Sequence, residues 1–248
     1  AHVTLNRGAK MNAVDNDMAV GIVEAGEALI GRDDIRAVVL SGNGAAFCAG
    51  LDVMSFAVLA GQDPHARIMP RSHGKSNLFQ RVAMVWREVE VPVIAALHGV
   101  AFGAGFQLAL GADVRIAAPD TKLAIMEMKW GLVPDMGGML LLPKLTRSDI
   151  IRRMTYTAQQ IDAKQALAWG LVTELADDPL AAAQELATQI ASKSPSAIRA
   201  AKRLIAVAEA ADENTVLIAE SQEQADLIGK PHQMEVISAN MQKRAPKF

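Results

Sequence analysis

A chain of 248 residues, 51% of them apolar, is long enough to bury a sizeable core. Its 25 Lys and Arg stand against 27 Asp and Glu, a formal charge of −2, which excludes the strong basic field that nucleic-acid backbones and anionic membranes recruit. The single cysteine, Cys48, excludes an internal disulfide and fits a reducing, cytoplasmic address. No apolar run reaches the roughly 18 residues of a membrane span, and the opening AHVTLNRGAK lacks the charged-then-apolar pattern of a signal peptide. A few residues are expected before Ala1.

The first half alternates short, β-branched runs closed by Gly, Pro, Asp or Asn with amphipathic stretches. VTLNR at 3–7 predicts a strand, residues 15–30 a helix, and IRAVVLSG at 35–42 the next strand. A helix is expected over 51–60, then a Pro- and Gly-bearing loop over 61–77, of a length that often carries function. A helix over 77–90, the strand PVIAALHG at 92–99, a helix over 104–111 and the strands DVRIAAP and TKLAIM then complete a layered α/β core. Beyond Ser148, which reads as an N-cap, the strand signals nearly stop, with LVTEL at 171–175 the exception. Pro179 suits a first helical position, and Ser194-Pro195 opens AIRAAKRLIAVAEAA, rich in strong helix formers.

The runs VLSGNGAAFCAGLDVM and ALHGVAFGAGFQLAL echo each other as strand, Gly, AF-x-AG, helix. Two such turns present two helix N-termini, whose unpaired backbone N–H groups favour anionic oxygen; equally, the small residues let each helix pack close to its strand. GNGAAF at 42–47 begins like a dinucleotide fingerprint, but Phe47 stands where a small residue is needed. No nucleophile elbow, phosphate loop or His pair at metal-ligand spacing is present, so no metal is expected; His65 and His73 lie on the long loop. Cys48 has no evident base and reads as a packing residue, and His98, ending an apolar strand, as a structural histidine.

Several segments in order carry a likeness over nearly the whole chain. They are LNRGAKMNAV, GAAFCAGLDV, PVIAALHGVAFGAGFQLALGADVRIA, KLAIMEMKWGLVPDMGGMLLLPKL, ALAWGLVTEL and SPSAIRAAKRLI. In them the sequence resembles the crotonase superfamily, the enoyl-CoA hydratase/isomerase family. The resemblance implies an α/β fold, a spiral of repeated ββα units forming two near-perpendicular sheets over residues 1–190. A helical region over 191–248 would cover the active site and build a homotrimer or hexamer. It also implies an acyl-CoA thioester substrate, with coenzyme A entering as part of the substrate and no separate cofactor. Carried over by position, the oxyanion donors are the N–H groups of Leu51 and Ala104, although the internal echo pairs Leu51 with Phe106. The substrate and CoA contacts fall on Lys10, Ala49, Asp52, Val53, Met54, Gly103 and Trp130; Lys10 reads equally as an ordinary surface lysine.

Hydratases of this family use two glutamates, and here Gln107 stands at the first place and Glu127 at the second. Glutamine can hold a water by hydrogen bonds but cannot take its proton. The family's dienoyl-CoA isomerases instead pair a glutamate with an Asp eight residues on, the relation of Glu127 to Asp135. Two separated carboxyl groups in an apolar pocket suit removal of a proton at one carbon and its return at another. Met126, Met128, Trp130, Leu132, Val133 and Met136 are the expected walls. The reading is a double-bond isomerase of an unsaturated acyl-CoA using Glu127 and Asp135; the alternative is a 2-enoyl-CoA hydratase using Glu127 and Gln107. Asp135 reads otherwise as the cap of a short helix. A silent crotonase homologue serving as an RNA-binding or scaffold protein is the reading of another class, and the near-neutral charge opposes RNA.

Overall fold

The apolar runs VVL and VIAAL become central strands buried on both faces, which is why they read as continuous rather than alternating. The computed structural model describes residues 1–55, 61 and 63–248. In it β1 (His2–Leu5), β2 (Val38–Gly42), β3 (Val93–Leu97), β5 (Val114–Ala117) and β8 (Glu174–Leu175) form a five-stranded sheet in the order β1-β2-β3-β5-β8, every pair parallel. A second sheet holds β4 (Val100–Phe102), β6 (Lys122–Ala124) and β7 (Ile161–Asp162), with β4 and β6 parallel and β6 and β7 antiparallel. Successive side chains of the first sheet divide between two cores. Val38, Leu40, Val93, Ala95 and Leu97 face the main one, whereas Val39, Ile94, Ala96 and Ile116 pack against Ala183 of α8 (Pro179–Ala191).

The helices start where local chemistry supplies a cap. Asp15 accepts from Met18 N to open α1 (Asn16–Glu27), and Asn77 with Gln80 forms a capping box at α3 (Leu78–Glu88). The segment 61–77, expected as loop throughout, contains the short helix α2 (Pro64–Ile68), begun by the Asp63 cap and Pro64. Of the helix expected over 51–60, residues 53–55 are helical and 56–60 lie outside the described residues. Next comes α4 (Ala104–Leu110), buried at every position, and then α5 (Gly138–Leu141), α6 (Ser148–Thr157) and α7 (Ala163–Ala168). Ser148 is the first residue of α6, not its cap; Arg147 holds the cap position without a side-chain bond. The strand expected over 171–175 is confined to 174–175, because Leu171 and Val172 turn into the main core.

After α8 the chain is helical, in α9 (Pro195–Ala208), α10 (Glu213–Leu227) and α11 (Pro231–Met241). One half-buried cation fastens α9 to α3 and to the entries of β3 and β5: Lys202 Nζ donates to Trp86 O, Val91 O and Asp113 Oδ2 at 3.1, 2.9 and 2.7 Å. By contrast α10 buries no residue and leaves Leu217 and Ile218 exposed. Among the described residues no helix is long and apolar enough to cross a membrane.

Candidate active site

The two echoing turns lie side by side. Cys48 forms a parallel bridge with Ala101, Cys48 N donating to Val100 O and Phe102 N to Cys48 O, each at 3.0 Å. Glycines permit this approach: a Cβ on Gly105 would sit 2.4 Å from Cys48 O, and one on Gly50 3.0 Å from Phe102 O. The bridge at 48 and 101 sets the two turns two residues out of the register of the internal echo, which pairs Leu51 with Phe106. Leu51 itself bridges Val14, but through Gly50 O and Asp52 N, so its own N–H is left over. Ala104 opens α4, where a first-turn N–H has no intrahelical acceptor. Among the described residues neither N–H meets an acceptor.

Glu127 begins a 3-10 turn, Glu127–Trp130, just beyond β6. Its Oε1 accepts from Gln107 Nε2 at 2.6 Å, and its Oε2 is buried with no partner. The carboxyl lies against the start of α4, since a Cβ on Gly103 (φ +48) would come within 3.4 Å of Glu127 Oε1. Burial pushes the Glu127 pKa above its ordinary value and the charge of Asp135 adds to the rise, while the nearby backbone N–H groups of Glu127 and Met126 and the Gln107 hydrogen bond oppose it. Gln107, 1% exposed, accepts at Oε1 from Met136 N (2.9 Å) and Gly138 N (3.0 Å). Its acceptor capacity is therefore taken by protein, and the water-holding role expected of it retains only a spare N–H.

Asp135 caps nothing: α5 starts from Gly137 (φ +91) with no side-chain cap. Burial against the surrounding protein pushes the Asp135 carboxyl upward too, and a hydrogen bond from its own backbone N–H opposes the rise. Lys10, Ala49, Asp52, Val53 and Met54 gather along one edge, where Ala49 N donates to Met11 O and the Lys10 charge reaches Asp52. Val53 and Met54 are exposed there, and so is Lys10. Asp52 is engaged internally. It accepts from Arg7 Nη1 at 2.7 Å and Met54 N at 3.1 Å, and the Arg7 hydrogen bond holds its pKa down. The ion pair ties the turn after Leu51, where a substrate contact is expected, to the loop after β1.

The enoyl-CoA hydratase/isomerase family model matches residues 1–248. The chain belongs to this family. Among curated proteins it is similar to the carnitinyl-CoA dehydratases of Citrobacter koseri (38% identity) and Salmonella typhi (37%), each match covering 82% of this chain and 75% of the relative. Among solved structures it is similar to a protein of Mycobacterium abscessus described as an enoyl-CoA hydratase/isomerase, with TM-score 0.91, 31% identity, and coverage of 100% of this chain and 94% of that one. An enoyl-CoA hydratase from Bacillus anthracis follows at TM-score 0.88 and 28% identity, with coverage of 100% and 94%. The fold is the crotonase fold, and the protein is an enzyme of the hydratase/isomerase kind.

One structural residue of this hydratase/isomerase chain escaped the sequence reading. Asn12, fully buried at φ +55, donates through Nδ2 to Asn43 O (2.9 Å), Ala46 O (2.9 Å) and Phe47 O (3.1 Å), and accepts from Arg7 N at 2.8 Å. It fixes the turn that leads to Leu51. The available signal was a lone amide in the apolar stretch KMNAV, because Asn tolerates the left-handed region that turns require. Asn12→Ala would strand three carbonyls and one N–H, and is expected to lower unfolding stability by about 3 kcal/mol in urea titration. Cys48 is buried and its thiol is pushed up to about 12 by burial, so it stays protonated at neutral pH. The expected apolar walls are realised in part: Met136 is buried and Met126 half-buried, whereas Met128, Trp130, Leu132 and Val133 are exposed.

Proposed function

We propose that this family member catalyses proton transfer at the α-carbon of an acyl-CoA thioester, and that the reaction is the reversible loss of water from a 3-hydroxyacyl-CoA. A buried, unpaired carboxyl oxygen, Glu127 Oε2, on a carboxyl that lies against the start of α4, together with the unpaired backbone donors of Leu51 and Ala104, carries this reading. The thioester carbonyl accepts from Leu51 and Ala104 N–H, where each preorganised donor is worth about 2.7–4 kcal/mol as negative charge develops. Glu127 Oε2 takes the α-proton and the electron pair moves to the carbonyl oxygen as an enolate. Collapse of the enolate forms the Cα–Cβ double bond and breaks the bond from Cβ to the hydroxyl oxygen, which takes the proton from Glu127 and leaves as water. The carboxylate is restored. Gln107 moves no proton, so Glu127 serves both steps, and the dehydratase relatives support this order over isomerisation.

Double-bond isomerisation is the second reading, favoured by Asp135, which caps no helix and whose charge reaches Glu127. There Glu127 removes a proton and protonated Asp135 returns one at a distant carbon, its exposed side restoring the balance through solvent. The two are separated by following absorbance with crotonyl-CoA and with a 3,5-dienoyl-CoA, in wild type and Asp135→Asn. The hydration reading expects crotonyl-CoA turnover within about threefold of wild type in the variant, while loss of a dienoyl activity by about 10²-fold or more would select isomerisation.

A further inference from the structure

We propose that Gln107 is a positioning residue that makes Glu127 a one-oxygen base: its amide, unable to turn over, holds Oε1 as a standing acceptor and leaves Oε2 alone to carry the transferred proton. The inference rests on the proton-transfer reading of Glu127 and adds the device that directs it. Two backbone donors, Met136 N and Gly138 N, converge on one terminal atom of the Gln107 side chain, so that atom is the carbonyl oxygen. The NH2 group is thereby turned to Glu127. A flipped amide would set N–H against two N–H groups and a carbonyl against a carboxyl oxygen 2.6 Å away, with no solvent to relieve either contact. An amide nitrogen offers only hydrogens, so Oε1 must accept, and a proton on Glu127 goes to Oε2, the oxygen with no bond to disturb.

The same amide anchors the turn that carries Asp135, where one of two successive glycines leaves it room. A Cβ on Gly138 would lie 2.8 Å from Gln107 Oε1, and Gly137 takes φ +91. Gln107 also shares α4 with Ala104. A single rigid helix thus sets the donor at position 104, the orientation of Glu127 and the place of Asp135.

Few other charges bear on Glu127. Its own turn carries Lys129, held over the Trp130 ring, and α4 carries no charged side chain. On α6, packed against that turn, Asp149 pairs with Arg147, Arg152 bonds Ser148 and Tyr156, and Arg153 bonds Gln159. The charge of Asp135 acts on it directly.

Two variants test the proposal, with the Glu127 carboxyl read by carbon-13 NMR titration so that the result does not depend on turnover. In Gln107→Glu one carboxyl oxygen still accepts from Met136 N and Gly138 N, so the fold is expected to persist, while the other meets Oε1 and must share a proton with it. The Glu127 midpoint is expected to rise by more than one pH unit, and the acid limb of kcat/KM to rise with it. In Gln107→Met, of similar length but without the amide, kcat is expected to fall at least tenfold with KM within about threefold. A folded Gln107→Glu protein with an unchanged midpoint, or a Gln107→Met protein with kcat within twofold of wild type, would overturn the proposal. Wild type that turns over no thioester while the midpoint difference stands would instead remove the proposed function.

Discussion

Replacing Glu127 by Gln is expected to lower kcat/KM by about 10²–10⁴-fold on any thioester the enzyme turns over, because Gln keeps the shape of the side chain but cannot accept the α-proton. The same variant should be more stable than wild type at neutral pH. The Glu127 carboxyl is buried, Oε2 lacks a partner, and its pKa lies above the ordinary 4.5. Below pH 4.5 the group is protonated in folded and unfolded chains alike and shifts nothing. Above that pH the unfolded chain ionises first, so wild-type stability falls as pH rises toward the folded pKa, a loss that Gln does not share. Urea unfolding at pH 4 and pH 7 reads the difference; a stability gain equal at both values would contradict a buried, strained carboxylate. The pairing of lost activity with gained stability is the mark of a group kept for chemistry at a structural cost.

Ala104→Pro should cost about 10²–10³-fold in kcat, by deleting one backbone donor to the developing oxyanion. Proline is tolerated at a first helical position, where its missing N–H had no intrahelical partner, and Ala104 holds that position in α4. Ala104→Gly keeps the N–H and serves as the control, with activity expected near wild type. Thermal unfolding of both variants checks that α4 is intact. A folded Ala104→Pro protein with kcat within threefold of wild type would take position 104 out of the oxyanion hole. The donors at 51 and 104 differ in how they come free: one is the unused N–H of a bridge, the other a helix orphan.

Much of the site was visible as a set of residues and little of it as an arrangement. The internal echo is real, yet aligning its two copies pairs Leu51 with Phe106, while the bridge of Cys48 to Ala101 sets a register two residues different. Likeness between segments reports shared local conformation, and register between them is set by interstrand hydrogen bonds that likeness does not specify. Asp135 has the look of a cap, but the helix after it starts from Gly137. Asp52, in a turn that resembles a ligand contact, meets Arg7 from 45 residues away. Gln107 is the clearest case: the composition of α4 shows an amide in an apolar helix, and only its three partners assign carbonyl and amino group.

The sequence by itself determined the layered α/β core, its strands, most of its helix starts and its family, because periodicity, caps and turn residues act over a few neighbouring positions. Tertiary structure alone decided which backbone N–H groups remain unpaired, which oxygen of Glu127 is free and which way Gln107 faces. Each of these is a property of hydrogen-bond direction between groups as far apart as the 31 residues from Gln107 to Gly138. A pattern along the chain carries spacing, whereas a donor is known to be free only once every surrounding acceptor has been placed.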